Sequence, residues 1–161
     1  METSNRVLIV GSGGREHAFA WKISQSEKVE RIFVAPGNAG TEYEVKTKNV
    51  DIPPNDIDSL IKFSKSKNIN LVVVGPEDPL VNGITDQFNT AGINCFGPSA
   101  EAAKLEGSKG YSKMFMQKYN IPTASFSTFD DMFAALNYAK DKAYPLVIKA
   151  DGLAAGKGVV I

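Results

Sequence analysis

The sequence predicts an α/β protein, an open parallel sheet with helices on both faces, and three observations carry that prediction. Short unbroken apolar runs recur, the clearest being Val7-Leu8-Ile9-Val10 and Leu71-Val72-Val73-Val74. Strands buried on both faces, as in a parallel sheet, have this composition. Three of the runs close on turn-forming residues, at Gly11, Pro36 and Gly75. Between the runs lie longer segments with apolar residues at helical spacing, and strands alternating with helices give an open α/β sheet. Such sheets bind ligands at the C-terminal ends of their strands, so the residues after Val10, Ala35 and Val74 are the candidates for function.

Val7–Val10 is the first strand, and a helix is expected from near Arg15 with Ala18, Trp21 and Ile23 on its apolar face. Ile32–Ala35 is a second strand, closed by Pro36-Gly37-Asn38. Pro53-Pro54-Asn55-Asp56 opens a helix whose buried stripe is Ile57, Leu60, Ile61 and Phe63. After the Leu71–Val74 strand, Asp78 is the expected N-cap, with Pro79 at the first helical position of a helix through Ile84 and Phe88. A strand at Asn94–Phe96 ends at Gly97-Pro98. Beyond residue 98 the texture changes: Ser99 to Tyr119 reads as helix interrupted at Gly107 and Gly110, and Ile121-Pro122 ends it. A strand at Ala124–Phe126, a helix over Met132–Ala139, a strand at Leu146–Lys149 and an apolar run at Val159–Ile161 follow. The expected organisation is one domain over residues 1–98 and the start of a second, incomplete one over residues 99–161.

The 161 residues are 43% hydrophobic and 22% charged, an ordinary globular balance. Eighteen basic and eighteen acidic side chains cancel, so no overall field favours nucleic acid or a membrane surface. Cys95 is the single cysteine, which excludes an intramolecular disulfide and a cysteine-rich metal site; it reads as a small buried hydrophobe. No apolar stretch reaches the ~20 residues that span a bilayer. The polar start, Met1 to Asn5, resembles neither a secretory nor a transit signal, and a cytoplasmic protein is expected.

Two glycine loops and one acidic loop carry the chemistry. Gly11-Ser12-Gly13-Gly14-Arg15-Glu16-His17 follows a strand and opens a helix. Glycines let backbone approach an anion, and the helix start offers free N–H groups and a positive dipole end. Arg15 would add a guanidinium contact. A dinucleotide fingerprint is excluded, because Glu16 stands where the third glycine belongs and Ala35-Pro36 replaces the acid at the end of the second strand. A plain tight turn remains the alternative. His17, the only histidine, reads as a loop-ordering residue or a substrate contact, with no zinc partners at hand. Glu77 and Asp78 put paired acids on a strand-end loop, able to hold a metal, move a proton or bind sugar hydroxyls, with Glu77 the better placed for a ligand.

The second glycine loop is Lys149-Ala150-Asp151-Gly152-Leu153-Ala154-Ala155-Gly156-Lys157-Gly158. A Walker A loop needs four residues between its glycines and a hydroxyl residue after the lysine, and this loop has neither. Lying between two apolar runs, it reads as a flap joining adjacent strands. Either it covers a triphosphate with amides and ammonium groups, or it is an unliganded hairpin.

In order along the chain, Gly11–His17, Ala35–Gly40, Val74–Leu80, Phe96–Pro98, Leu105–Lys109, Ile121–Ala124 and Lys149–Val159 together resemble the phosphoribosylamine–glycine ligase family. The resemblance runs nearly end to end and implies a phosphosugar-binding N-terminal domain followed by the first part of an ATP-grasp domain. It implies ligation of glycine to 5-phosphoribosylamine in purine synthesis, with ATP and Mg²⁺ or Mn²⁺, through a glycyl phosphate that the sugar amine attacks. By the same resemblance the substrate site comprises Gly11, Gly13, Gly14, Arg15, Glu16, His17, Pro36, Gly37, Asn38, Glu77 and Asp78, with Glu77 toward ribose hydroxyls. Lys109 and Lys149 match the lysines that reach ATP phosphates, and Asp151, Gly152, Leu153, Ala154, Ala155, Gly156, Lys157 and Gly158 match the flap. Metal ligands and the adenine clamp are expected past residue 161, so no metal ligand or catalytic residue is assigned here, and residues 1–161 alone are expected to bind without turnover. Other purine-pathway ATP-grasp enzymes, and a non-catalytic phosphosugar- or nucleotide-binding module, are the alternatives. Fusion to later purine-pathway enzymes is left open by the sequence.

Overall fold

The structure, a computed structural model, describes residues 4–154 and 157–161. The chain forms two compact units, one ending at Ala103 and the other running Lys104–Ile161. In the first unit β1 (Asn5–Gly11), α1 (Gly14–Ser24), β2 (Val29–Pro36), α2 (Ala39–Glu42), β3 (Thr47–Asn49), α3 (Ile57–Lys67), β4 (Leu71–Val74), α4 (Glu77–Val81), α5 (Ile84–Thr90) and β5 (Asn94–Phe96) follow in order. The five strands form one parallel sheet in the order β3-β2-β1-β4-β5. The strand order reverses beside β1, so β1 and β4 flank the switch point at which open α/β sheets hold ligands.

The apolar runs are buried on both faces because alternate side chains point opposite ways. Leu8, Val10, Val72 and Val74 enter a cluster with Ile57 and Leu60 of α3 and with Ile84 and Phe88 of α5. Val7, Ile9, Ile32, Val34 and Val73 form the other cluster, with Ala20 of α1.

Several local expectations need correction. The inward face of α1 carries Glu16, Ala20 and Ser24, with Phe19 and Ile23 packed beside them, while Trp21 is 54% exposed and Ala18 also faces outward. Once Glu16 points inward, the residues four and eight places on must follow it. Asp78 is not an N-cap: α4 starts at Glu77 with Pro76 as its extended cap (φ −78°, ψ 154°). Pro79 then stands third in the helix, where a missing N–H still breaks no intrahelical bond. The single helix expected through Ile84 is two, separated at Asn82-Gly83.

The second unit contains the C-terminal half of α6 (Ala100–Gly107), then α7 (Lys109–Lys118), α8 (Met132–Lys140), β6 (Ile148–Lys149) and β7 (Val159–Val160). The break between α6 and α7 falls at Ser108, which caps α7 by accepting from the Tyr111 N–H at 3.0 Å; Gly110 lies inside the helix. Residues 124–126 form no strand. There the Ala124 carbonyl accepts from Lys113 Nζ at 3.0 Å, not from a neighbouring strand. β6 and β7 pair antiparallel, Ile148 with Val160 and Lys149 with Val159. No helix among the described residues is long and apolar enough to cross a membrane.

Phe88 is fully buried in the cluster between the sheet and α5. Phe88→Ala is expected to lower stability by about 3–5 kcal/mol. Urea unfolding followed by the fluorescence of Trp21, which lies in the same unit, measures this, and a loss under ~1 kcal/mol contradicts the packing described.

Candidate functional site

The loops after β1, β2 and β4 gather at the C-terminal ends of the central strands. The Gly37 N–H donates to the Gly11 carbonyl at 3.1 Å and the Gly75 N–H to the Val10 carbonyl at 3.0 Å, so both neighbouring loops are tied to the end of β1. Gly11 adopts φ +127°, a conformation that side chains disfavour, and turns the chain into Ser12-Gly13.

α1 begins at Gly14, and its first intrahelical bond runs from the His17 N–H to the Gly13 carbonyl at 3.1 Å. The amides of Gly14 and Arg15 therefore have no intrahelical acceptor and point out of the helix start, a place suited to an anion. Glu16, third in the helix and 3% exposed, turns back and accepts from the Gly13 N–H at 2.6 Å. Arg15 stands beside it, its Nε donating to Glu16 Oε1 at 3.3 Å and its Nη1 and Nη2 to Glu77 Oε1 at 3.2 and 3.1 Å. The structure thus brings Arg15 and Glu77 together from loops sixty-two residues apart.

Burial alone would lower the Arg15 pKa, but the hydrogen bond and charge of Glu77, with Glu16, hold it above its ordinary value. The Glu77 carboxylate lies below the usual glutamate range, first through a hydrogen bond from its own backbone N–H and then, against the upward pull of burial, through Arg15. Both groups are charged at neutral pH and about half exposed. The arrangement offers a cationic pole and an acceptor side by side, as a ligand with a phosphate and hydroxyl groups requires.

The β2 loop is held by its own network. Asn38 accepts from the Thr41 N–H at 3.0 Å through its side-chain oxygen, and its side-chain nitrogen donates to the Ser12 and Gly13 carbonyls at 2.9 and 3.3 Å. Asn49 donates to the Asn38 carbonyl at 2.7 Å and accepts from Thr41 Oγ1 at 2.7 Å. His17 meets Glu44 Oε1 through Nε2 at 2.8 Å. Pro36 follows a cis peptide bond, Gly37 adopts φ +75°, and Asp78 is exposed in the first turn of α4. Asn49, Thr41 and Glu44 escape sequence reasoning. Their partners lie up to twenty-seven residues away, and no local pattern marks them.

In the second unit the carboxylate of Asp151 occupies the start of α7. It accepts from the Lys109 N–H at 2.6 Å, the Gly110 N–H at 3.2 Å and Ser108 Oγ at 2.9 Å. Lys109 Nζ donates to the Gly152 carbonyl at 2.6 Å. The base of the glycine-rich loop is closed by the Ala150 N–H donating to the Gly158 carbonyl at 2.7 Å, and the Lys157 N–H bonds the Ala154 carbonyl at 2.8 Å. Lys149, Leu153 and Lys157 are exposed. Ala155 and Gly156 lie outside the described residues. The Gly110 N–H foremost, then Ser108, outweigh burial and, with the Gly152 and Lys109 amides, hold Asp151 below the usual aspartate range. Ser108 is legible as a helix cap in the sequence, but its bond to a residue forty-three positions on is not.

Among the described residues no three His, Cys, Asp or Glu side chains gather as a metal-ion site. A concavity of about 790 Å³ lies at the opposite ends of the strands, lined by Asn5, Val29, Asn70 and Asn94 among others, with Lys28 as its one charged lining residue. It lacks the convergent charged groups of the β1–β4 site. Cys95 is half-buried against the core, and burial pushes its thiol up.

Residues 5–106 match the family description "Phosphoribosylglycinamide synthetase, N domain", and residues 107–161 match "Phosphoribosylglycinamide synthetase, ATP-grasp (A) domain". The chain is 53% identical over 155 residues to a phosphoribosylamine–glycine ligase of Haemophilus influenzae, covering 96% of this chain and 36% of that protein. The corresponding protein of Vibrio cholerae is 54% identical over 156 residues, again spanning 97% and 36%. The chain therefore spans about a third of the length of these relatives. The crystal structure of a Thermotoga maritima phosphoribosylamine–glycine ligase superposes with a TM-score of 0.72 at 38% identity, over 96% of this chain and 35% of that one. The biotin carboxylase domain of a Hydrogenobacter thermophilus 2-oxoglutarate carboxylase, solved with MgADP, ADP and bicarbonate, gives 0.76 at 18% identity over 97% and 37%, a likeness of fold alone.

A depressed folded-state pKa means that the stability from the Asp151 contacts is fully present above the ordinary aspartate range and is lost as pH falls below that range, through the lowered folded-state pKa. In a pH titration by NMR, the Lys109 and Gly110 amides are expected to move with a midpoint below that of an exposed aspartate. Ser108→Ala removes a donor to the ionised form and should raise the midpoint; an unchanged midpoint contradicts the assignment.

Proposed function

The chain belongs to the phosphoribosylglycinamide synthetase family, and from that membership we propose that it serves the ATP-dependent ligation of glycine to 5-phosphoribosylamine. The observation that carries the reading is the pairing of Arg15 with Glu77 at the free helix start of α1, across the β1–β4 switch point. In this reading the Gly14 and Arg15 amides and the Arg15 guanidinium take the 5′-phosphate, and Glu77 takes ribose hydroxyls. Gly11, Gly13, Pro36, Gly37 and Asn38 shape the walls of the site, His17 orders it through Glu44, and Asp78 flanks it.

The glycine carboxylate is a poor electrophile. Transfer of the γ-phosphoryl of ATP to one carboxylate oxygen, with ADP leaving, makes a glycyl phosphate. The sugar amine then attacks the acyl carbon, the C–N bond forms, phosphate departs, and the amine loses a proton. For the nucleotide, Lys109 and Lys149 are assigned to ATP phosphates, and the loop from Asp151 through Leu153, Ala154 and Lys157 to Gly158 to covering them. Ala155 and Gly156 belong to the same proposed flap. Mg²⁺ accompanies ADP in the Hydrogenobacter domain and would offset phosphate charge here as well. The described residues offer it no cluster of ligands, so no step is derived through it. A cytoplasmic setting follows from the same reading.

Calorimetry of the 161-residue chain with ribose 5-phosphate, and separately with ATP, tests the two halves of the proposal. Arg15→Ala should weaken ribose 5-phosphate by about ten- to a hundredfold, the worth of a charge-assisted hydrogen bond. Lys109→Ala should weaken ATP and leave ribose 5-phosphate unchanged. No binding of either ligand by the unaltered chain would overturn the reading. In a chain extended to the length of its relatives, turnover with glycine but not with formate or bicarbonate separates this ligase from other purine-pathway ATP-grasp enzymes.

A further inference from the structure

We propose that Glu16 is a positioning residue, a buried strut that seats the β1 loop against the β4 loop and aims Arg15 at Glu77, without touching a ligand itself. The inference rests on the phosphosugar reading of this site and deepens it by dividing its residues into those that bind and one that holds them in place.

Glu16 is 3% exposed, an unusual state for a carboxylate, and its two oxygens are divided between neighbours. Oε2 accepts from the Gly13 N–H at 2.6 Å and Oε1 from Arg15 Nε at 3.3 Å. Both oxygens are thus turned to the protein. The backbone is shaped around the same side chain on two sides. A Cβ on Gly11 would lie 2.7 Å from Glu16 Cγ and Cδ, and a Cβ on Gly75 would overlap Glu16 Oε1. Gly75 needs no positive φ, so its lack of a side chain is explained by this approach alone. Two glycines at the ends of adjacent strands, far apart in sequence, leave room for one carboxylate. Arg15 is the side-chain partner of that carboxylate, about half exposed, and its remaining nitrogens reach Glu77.

Three measurements on the full 161-residue chain decide the matter. Glu16→Gln keeps the volume but cannot offer an acceptor to both Gly13 and Arg15. Its Arg15 Nε–H resonance should therefore move toward that of a free arginine; an unchanged resonance, or one already averaged in the unaltered chain, overturns the aiming role. Gly75→Ala alone should lower Tm, and Glu16→Ala should relieve part of that loss in the double variant. Strictly additive losses overturn the strut. Finally, Glu16→Gln should weaken ribose 5-phosphate about tenfold in the folded fraction, whatever it takes from Tm, whereas a purely structural role would lower Tm and spare affinity in the folded fraction. If the unaltered chain binds no ribose 5-phosphate, the phosphosugar reading fails, and the strut is still judged by the first two measurements.

Discussion

The first unit depends on β1 being paired along both edges and covered on both faces. β2 and β4 take its backbone hydrogen bonds, and α1 on one side and α3 with α5 on the other take its side chains. A strand in that position can carry no polar side chain without leaving it unsatisfied, which explains Val7-Leu8-Ile9-Val10. Its parallel partners must also end where it ends, so three loops emerge together at one edge of the sheet. Chemistry collects there because the backbone amides at a strand-to-helix turn are the polar groups that the buried sheet cannot satisfy internally.

Parallel pairing delivers the loops to one place but does not fix them at hydrogen-bond precision. That task falls to side chains whose partners are remote. Asn38 ties the β2 loop to Ser12 and Gly13, and Asn49 and Thr41 hold Asn38 in turn. Glu16 does the corresponding work between the β1 and β4 loops. Each of these groups is polar, and each is satisfied chiefly by backbone. The result is a set of loops with little freedom to rearrange around a ligand, which lowers the ordering entropy that binding must overcome.

This division marks the limit of what could be read from the residues. The sheet, its parallel pairing and the positions of the loops were legible because apolar runs and glycine turns are local signals. The hairpin at Lys149 and Val159 was legible for the same reason. The inward face of α1 was not, since it turns on Glu16, a charged residue that any hydrophobic pattern assigns to solvent. β3 gives no such signal because Thr47-Lys48-Asn49 has no apolar run; it pairs along the outer edge of β2, and the Asn49 side chain ties its end to Asn38. Residues 124–126 looked like a strand by composition, but composition cannot say where a partner strand lies, and Lys113 takes the Ala124 carbonyl.

Asp151 in the second unit poses the same physical question with the opposite polarity. A helix start attracts negative charge, and at α7 that charge comes from the chain itself, on the residue that opens the glycine-rich loop. The carboxylate already satisfies the amides that an incoming anion would seek, so the start of α7 is not a vacant phosphate site. What the contact does instead is fix the base of the loop to the helix, with Lys109 Nζ on the Gly152 carbonyl as a second tie. If the loop covers a triphosphate, as proposed, it closes from a fixed base, and its charge comes from lysines and not from the α7 dipole. Lys109 then faces a choice between the Gly152 carbonyl and a phosphate oxygen. A charged acceptor is the stronger partner for an ammonium group, so on that proposal nucleotide binding would release the tie to Gly152.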